Sequence, residues 1–250
     1  MSMSTSRLDA CGWSSFDVEL FLNETGRKTR DVAEWYVRLL KDFSPGDRVL
    51  ELCCGAGALG AAIARAGYRV TGVDLDERML AVFEANLARE DPEVRRRVSL
   101  IQADACTFDV GEAFDFVILE DDSFQYLATH EDQLACLARV HEHLAEGGRF
   151  FLMFETPQRE LAMHQEYDYD PIRQVKTVKA DWQVEDETGR RRTVREGFEA
   201  RRLTWPCELE LLLKVARFEV EHRWGHLGTR VPFVDPSTQQ YAFLMRKAPE

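Results

Sequence analysis

The sequence predicts an α/β fold with a doubly wound, mostly parallel sheet, an antiparallel edge and one inserted β-hairpin. Between residues 44 and 154, short apolar runs alternate with segments whose apolar residues recur at helical spacing. Beyond residue 172 the apolar spacing changes to every second residue, on both sides of a turn at 187–190. Strands that alternate with helices are typical of a parallel sheet, whereas period-two segments that flank a turn predict a hairpin.

Each element has a local signal. An amphipathic helix over 28–43 ends at Ser44-Pro45-Gly46-Asp47, and Trp205-Pro206 begins a helix after the hairpin. A helix over 131–145 ends at Gly147-Gly148. The strands of the parallel part are expected at 48–52, 69–73, 98–102, 114–120 and 149–154. Two last strands, 218–224 and 241–246, are expected to pair antiparallel at the sheet edge.

The chain length suits one α/β domain, so we expect a single domain over 1–250. Its expected parts are an N-terminal helical region (1–43), a ligand-binding core (44–154), an inserted substrate-side hairpin (155–204) and a C-terminal helix with two strands (205–250).

Composition and charge narrow the functional classes. The formal net charge is −12, which disfavours nucleic-acid binding because that binding needs clustered cations. No apolar run is long enough to span a bilayer, and the six cysteines show neither a C-x-x-C pair nor zinc-finger spacing. We therefore expect a cytoplasmic monomer or homodimer that binds a small molecule and no nucleic acid, membrane or metal.

A glycine turn follows the first strand. Gly55-x-Gly57-x-x-Gly60 lies between a buried strand and a helix, where backbone N–H groups can face a ligand. Asp74 follows at about the 20-residue distance expected of a carboxylate that binds a ribose. This pattern fits a dinucleotide such as NAD and also fits S-adenosylmethionine.

The charge around the turn favours the second cofactor. Glu51 precedes the turn, and further acids end the next three strands: Asp74, Asp104, Glu120, Asp121 and Asp122. Ligands of open α/β sheets bind at the carboxyl ends of the strands. Acids at that edge repel a pyrophosphate, whereas they attract the sulfonium and ammonium groups of S-adenosylmethionine.

With these motifs, the sequence resembles the class I S-adenosylmethionine-dependent methyltransferases, which have a Rossmann-like fold. The resemblance implies that Glu51, Gly55 and Gly57 form the glycine motif on the methionine side. It also implies that Asp74 binds the ribose and Leu75 packs on the adenine. Asp104 would accept from the adenine amino group, with Ala105 beside it. Cys53 stands where the family commonly has glycine, and a slightly tighter turn is expected.

Within that class the sequence is most similar to the glycine N-methyltransferase-like small-molecule enzymes. The similarity rests on the segments 121–127 and 241–247 and on the inserted hairpin. It implies that Arg30 pairs with the cofactor carboxylate and that the Glu120 backbone faces the methionine part. The group's substrate-carboxylate arginine is replaced by Glu155-Thr156-Pro157, so glycine is not the expected substrate.

The acceptor side has weaker signals. Asp122 and His226 are candidate catalytic residues, with helix capping and a surface position as the respective alternatives. Candidate substrate contacts are Asp121, Tyr126, Tyr167 and Trp182, the last of which could instead be a core residue. We expect N-methylation of an amine or nitrogen heterocycle in secondary metabolism. The alternatives are O-methylation of a hydroxyl or carboxyl group and, more distantly, an NAD-dependent oxidoreductase.

Overall fold

The computed structural model describes residues 7–9, 11, 30–163, 166–179, 182–185, 189–195, 197–225 and 239–249. The helices are α1 (Arg30–Phe43), α2 (Ala58–Arg65), α3 (Glu77–Leu87), α4 (Pro92–Arg95), α5 (His130–His143), α6 (Pro157–Met163) and α7 (Pro206–Val215). The main-sheet strands are β1 (Arg48–Leu52), β2 (Arg69–Asp74), β3 (Val98–Gln102), β4 (Phe114–Leu119), β5 (Leu144–Glu155), β11 (Phe218–Trp224) and β12 (Gln240–Lys247). The smaller strands are β6 (Asp168–Asp170), β7 (Val175–Lys179), β8 (Trp182–Glu185), β9 (Arg191–Arg195) and β10 (Phe198–Arg202).

The seven-stranded sheet has the order β11-β12-β5-β4-β1-β2-β3. Strands β1 to β5 pair in parallel, and β12 pairs antiparallel with both β5 and β11. The predicted α/β sheet with an antiparallel pair at its edge is therefore confirmed. Strands β1 and β4 are neighbours in the sheet although two strands and three helices lie between them in the chain. Their carboxyl ends form the topological switch point, where open α/β sheets bind ligands.

Helices cover both faces of this sheet. On one face, α5 and α7 pack on apolar side chains of β4, β5 and β12, such as Phe150 and Phe243, which are fully buried. On the other face, α1 and α2 cover a second cluster that contains Tyr36, Ile63 and Phe151. Burial on both faces explains why the central strands are almost continuously apolar.

The inserted hairpin is interrupted. Strands β7 and β10 pair antiparallel, with Lys179 opposite Phe198. Strands β8 and β9, farther along the two arms, form a separate two-stranded sheet. Strand β6 adds a third strand beside β7, which the sequence did not indicate because it is only three residues long. Strand β5 also begins earlier than expected, at Leu144. Within the described ranges, no helix is both long and apolar enough to cross a membrane.

Candidate active site

The glycine turn connects β1 to α2 through three residues with left-handed backbone. The φ angles are 56° at Cys53, 52° at Gly55 and 77° at Gly57. Glycine adopts this conformation without strain, whereas Cys53 holds it at an energetic cost. A Cβ atom on Gly55 would have no heavy atom within 4 Å, so the turn presents bare backbone to open space. That space lies at the switch point of the sheet.

Gly57 has a second, steric requirement, which leads to a prediction. A Cβ atom there would lie 2.1 Å from the ring of Phe83, which is fully buried. Gly67 also has a positive φ, of 104°, but a Cβ atom on it would contact nothing within 4 Å. We expect Gly67→Ala to cost about 1–2 kcal/mol of unfolding free energy, the backbone penalty alone. Gly57→Ala should cost about 1–3 kcal/mol more, because Phe83 must also move.

Urea unfolding of both variants measures this difference. Equal losses for Gly57→Ala and Gly67→Ala would contradict the close packing of Phe83 against the turn.

Asp74 ends β2 and binds the turn directly. Its Oδ2 accepts a hydrogen bond of 2.7 Å from the Gly55 N–H, and its Oδ1 accepts one of 2.9 Å from the Asp76 N–H. Burial raises the pKa of Asp74, although these two donors favour the carboxylate. Each carboxylate oxygen keeps further acceptor capacity, so that Asp74 can both shape the turn and accept from a ligand hydroxyl.

Two more acids lie next to the turn, of which Glu51 is buried and Glu120 is half-buried. Glu51 on β1 is 3% exposed, and its Oε2 has no hydrogen-bond partner in the described part of the chain. A Cβ on Gly60 would lie 2.5 Å from this oxygen, so the glycine makes room for the carboxylate. Glu120 follows β4, beside the hydroxyl of Tyr36. Burial, together with the nearby Glu120 and Asp74, raises the pKa of Glu51 well above its ordinary value, and burial raises that of Glu120 to about 7.

These acids have no cationic partner among the described side chains. Ion pairs are present throughout the structure, yet none of those between described residues involves Glu51, Asp74 or Glu120. Buried carboxylates without compensation are costly and are usually paired. The space beside the turn therefore suits a ligand that brings positive charge. The side chain of Arg30, expected at the cofactor carboxylate, lies outside the described residues.

Asp104, the expected partner of the adenine amino group, already has two partners within the protein. Asp104 accepts from the Cys106 N–H at 2.8 Å and pairs with Arg7, whose Nε lies 2.9 Å from its Oδ2. Arg7 also contacts Asp132 at 2.9 Å, so an N-terminal residue joins two acids of the core. Ala105 is buried and Leu75 is half-buried beside this position.

On the acceptor side, Asp121 and Asp122 follow β4 with φ angles of 55° and 62°. The Asp122 side chain does not cap the short helical turn Ser123–Tyr126 that it precedes, so the capping alternative is wrong. Its Oδ1 accepts instead from the Glu155 N–H at 2.5 Å, and its Oδ2 accepts from Arg201 Nη1 at 2.8 Å. Burial raises the pKa of Asp122 to about 7, although Arg201 favours its carboxylate.

Arg201 is a site residue that the sequence did not reveal. The same Nη1 lies 2.8 Å from Glu160 Oε1, and Nη2 donates to the Tyr126 hydroxyl at 3.1 Å. Glu199 pairs with its Nε and accepts from Tyr126 at 3.1 Å. Asp122, Glu155 and Glu160 bring one carboxylate oxygen each within 4.8 Å of one another, but Arg201 already supplies positive charge to two of them.

The remaining candidates are dispersed. Tyr167 is 41% exposed, and Lys176 Nζ lies 5.6 Å from its ring centre. Lys176 in turn pairs with Glu160 at 3.3 Å, so Tyr167 borders the Arg201 cluster. The side chain of Trp182 and the whole of His226 lie outside the described residues.

Comparison with known proteins shows what the central part of the chain is similar to. Residues 49–148 match the model of a family described as a methyltransferase domain. A glycine N-methyltransferase from Rattus norvegicus is 30% identical over 115 residues, which cover 44% of this chain and 39% of the relative. The chain spans less than half the length of several curated relatives that it matches. The predicted resemblance to methyltransferases, including the glycine N-methyltransferase group, is thus confirmed.

Solved structures agree on the fold. The methyltransferase CcbJ from Streptomyces caelestis superposes with a TM-score of 0.75 at 22% identity, covering 87% of this chain and 90% of that chain. The glycopeptide N-methyltransferase MtfA, solved with S-adenosylmethionine, superposes with a TM-score of 0.64 at 23% identity, covering 86% of each chain. Residues 49–148 are accordingly a methyltransferase domain with the class I fold.

Proposed function

We propose that this chain, with its class I methyltransferase domain, transfers a methyl group from S-adenosylmethionine to a nitrogen atom of a small amine or nitrogen heterocycle. The observation that carries the proposal is the set of buried and half-buried acids beside the open glycine turn, which have no cationic partner among the described side chains. Glu51, Asp74 and Glu120 would attract a cofactor with two positive charges, and they would repel a pyrophosphate.

Different residues at the turn would bind different parts of the cofactor. Gly55 would leave room for its methionine part and Gly57 would let the turn pack on Phe83, while Glu51, Glu120 and the backbone after β4 would face its positive charge. Asp74 would accept from the ribose hydroxyls, and Leu75 and Ala105 would border the adenine, with Asp104 already joined to Arg7. When bound, S-adenosylmethionine supplies an electrophilic methyl group.

On the acceptor side, an amine must be uncharged at the moment of attack and must finally lose a proton. Asp122 is 7% exposed and lies directly after β4, next to the proposed methyl position. A pKa of about 7 suits a group that exchanges a proton near neutral pH. Asp121 and Tyr126 border the same space, and the chain's acids there favour a cationic acceptor over an anionic one. Tyr167, Trp182 and His226 stay candidates for substrate contact or, for His226, proton transfer.

Two alternatives remain. The O-methylation of a small hydroxyl or carboxyl substrate would use the same cofactor site and differ only in the acceptor. An NAD-dependent oxidoreductase would need a pyrophosphate beside Glu51, which the charge disfavours. Likeness to a glycopeptide N-methyltransferase supports nitrogen as the acceptor and a place in secondary metabolism.

The six cysteines form no disulfide, which supports the proposed cytoplasmic location, and we propose a monomer or homodimer.

Calorimetric titration tests the cofactor. We expect S-adenosylhomocysteine to bind with a micromolar dissociation constant and NAD to show no heat of binding. Incubation with methyl-labelled S-adenosylmethionine and matched panels of amines, heterocycles and phenols, followed by mass spectrometry, then identifies the acceptor atom. NAD binding without S-adenosylhomocysteine binding would overturn the proposal, and labelled phenols alone would select the O-methyltransferase alternative.

A further inference from the structure

The loop after β4 is held in an unfavourable backbone conformation. Asp121 and Asp122 are consecutive non-glycine residues with left-handed φ angles. This conformation is energetically unfavourable for residues with a Cβ atom, so surrounding contacts must fix the loop. Strained backbone of this kind tends to occur where a side chain must be aimed at a ligand.

Two contacts from different elements fix the Asp122 side chain. The N–H at Glu155, the last residue of β5, donates to Oδ1, and Arg201 on β10 donates to Oδ2. The first contact joins the loop to the main sheet. The second joins it to the three-stranded sheet β10-β7-β6, which the chain inserts after β5.

Arg201 is itself held on several sides. Its side chain is 19% exposed and contacts Asp122, Glu160 and Glu199. Its guanidinium carbon also lies 5.1 Å from the ring centre of Tyr126. A guanidinium with this many fixed partners has little freedom to move, and its planar fork orients each carboxylate that it binds.

We propose that Arg201 is the positioning residue of the acceptor site: it favours the charged form of Asp122 and aims its side chain at the substrate nitrogen. This inference rests on the proposed function for the identity of the acceptor. It extends that function because it assigns the control of the acceptor-side acid to the inserted segment, outside the matched methyltransferase domain of residues 49–148.

The charges around Asp122 show what Arg201 must offset. Asp121 lies next to it in the loop, Glu160 faces it from α6, and both raise its pKa. Glu155 lies at the end of β5, where Arg159 pairs with its carboxylate at 2.6 Å. Arg201 is the cation that contacts Asp122 among the described residues, while Lys176 pairs with Glu160. Without Arg201, burial and the neighbouring acids would keep Asp122 protonated above neutral pH.

The test measures the titration of Asp122 directly. Protein labelled with ¹³C at the aspartate carboxyl carbon is titrated by NMR without cofactor, and Asp122 is identified by the signal that Asp122→Asn lacks. We expect Arg201→Gln to raise the midpoint by at least about one pH unit, because the charge is lost. Arg201→Lys should restore the midpoint to within about half a pH unit of the wild type. Arg192→Gln, on the exposed β9, is the control and should leave it unchanged.

Glu160→Gln provides a second variant in case Arg201→Gln does not fold. It removes a repelling carboxylate and should lower the Asp122 midpoint, the opposite direction. The inference is overturned if the midpoint stays within about 0.3 pH units in Arg201→Gln, or if Arg201→Lys moves it as far as Arg201→Gln does. Calorimetry with S-adenosylhomocysteine keeps the two proposals apart. Arg201→Gln should bind it as the wild type does, and a wild-type protein that fails to bind contradicts the cofactor assignment without affecting the titration.

Discussion

Replacing Arg202 with methionine is expected to destabilise the protein by about 3–5 kcal/mol, the usual cost of breaking a buried charged network. Arg202 is 1% exposed and lies on β10, next to Arg201 but on the opposite face of the strand. Its guanidinium donates to Gln174 at 2.9 Å, Gln133 at 3.1 Å and Thr204 at 3.2 Å. It also pairs with Glu208, at the start of α7.

The loss would come from the partners as much as from the arginine. Gln133 and Thr204 are fully buried, so their oxygen atoms would lose a donor where water is excluded. Glu208 is 19% exposed and can recover some hydration, which limits its share of the penalty. Methionine keeps most of the side-chain volume, so the measured loss reports on hydrogen bonds and charge and not on a cavity.

Urea unfolding at pH 7 gives the free energies. Arg192→Met is the matched control, since Arg192 is exposed on β9 and its replacement should change stability by less than about 0.5 kcal/mol. A loss below about 1 kcal/mol for Arg202→Met would mean that the network is replaceable by apolar packing, as some buried ion pairs are.

The candidate cofactor side of the site could be proposed from the sequence because its signals are local. The glycine turn needs left-handed backbone at fixed positions, and Gly55 and Gly57 supply it in the sequence itself. The acids Glu51, Asp74 and Glu120 come at strand ends, and parallel strands bring their carboxyl ends to one edge whatever the detailed packing. Periodicity and turn chemistry were therefore sufficient to indicate both the sheet and this part of the site.

The acceptor side depends on contacts between distant parts of the chain. Arg201 lies 79 residues from Asp122, and Arg7 lies 97 residues from Asp104. No periodic pattern relates such pairs, and Arg201 and Arg202 are adjacent charged residues in a strand, a pattern typical of exposed positions. Arg202 is nevertheless buried and Arg201 half-buried, because carboxylates, amides and hydroxyls from other elements satisfy them. The position of Asp122 after the fourth strand made it a candidate in the sequence, but its partners are visible only in the tertiary structure.

The interruption of the hairpin has a related cause. Lys176 shares the period-two pattern of β7 with apolar residues and is 2% exposed. It is buried because Glu160 on α6 pairs with it, so the first half of the hairpin packs on the core. Among the described residues beyond Lys179, β8 and β9 pair with each other in a separate two-stranded sheet. Two sets of partners therefore replace one continuous ladder, and the pattern of apolar residues does not distinguish these arrangements.

Replacing Asp74 with alanine is expected to weaken the binding of S-adenosylhomocysteine by at least about 100-fold, or roughly 3 kcal/mol. The proposed ribose contact is a charge-assisted hydrogen bond, and its loss accounts for about 1.5–3 kcal/mol. The bond from the Gly55 N–H to Asp74 Oδ2 would be lost as well, which frees the turn that must receive the cofactor. Asp74→Asn should have a smaller effect, because its amide oxygen can still accept from one of the two backbone donors.

Asp76 offers the matched control, two residues away on the same connection. Asp76 is 2% exposed and accepts from the Arg78 N–H at 2.9 Å, so it caps α3. Asp76→Ala should cost about 0.5–2 kcal/mol of stability, the usual value for a lost cap, and leave the affinity for S-adenosylhomocysteine unchanged. Calorimetry measures affinity and urea unfolding measures stability for each variant. Binding by Asp74→Ala within about threefold of the wild type would exclude Asp74 as a ribose ligand, since about 0.7 kcal/mol is less than one such hydrogen bond supplies.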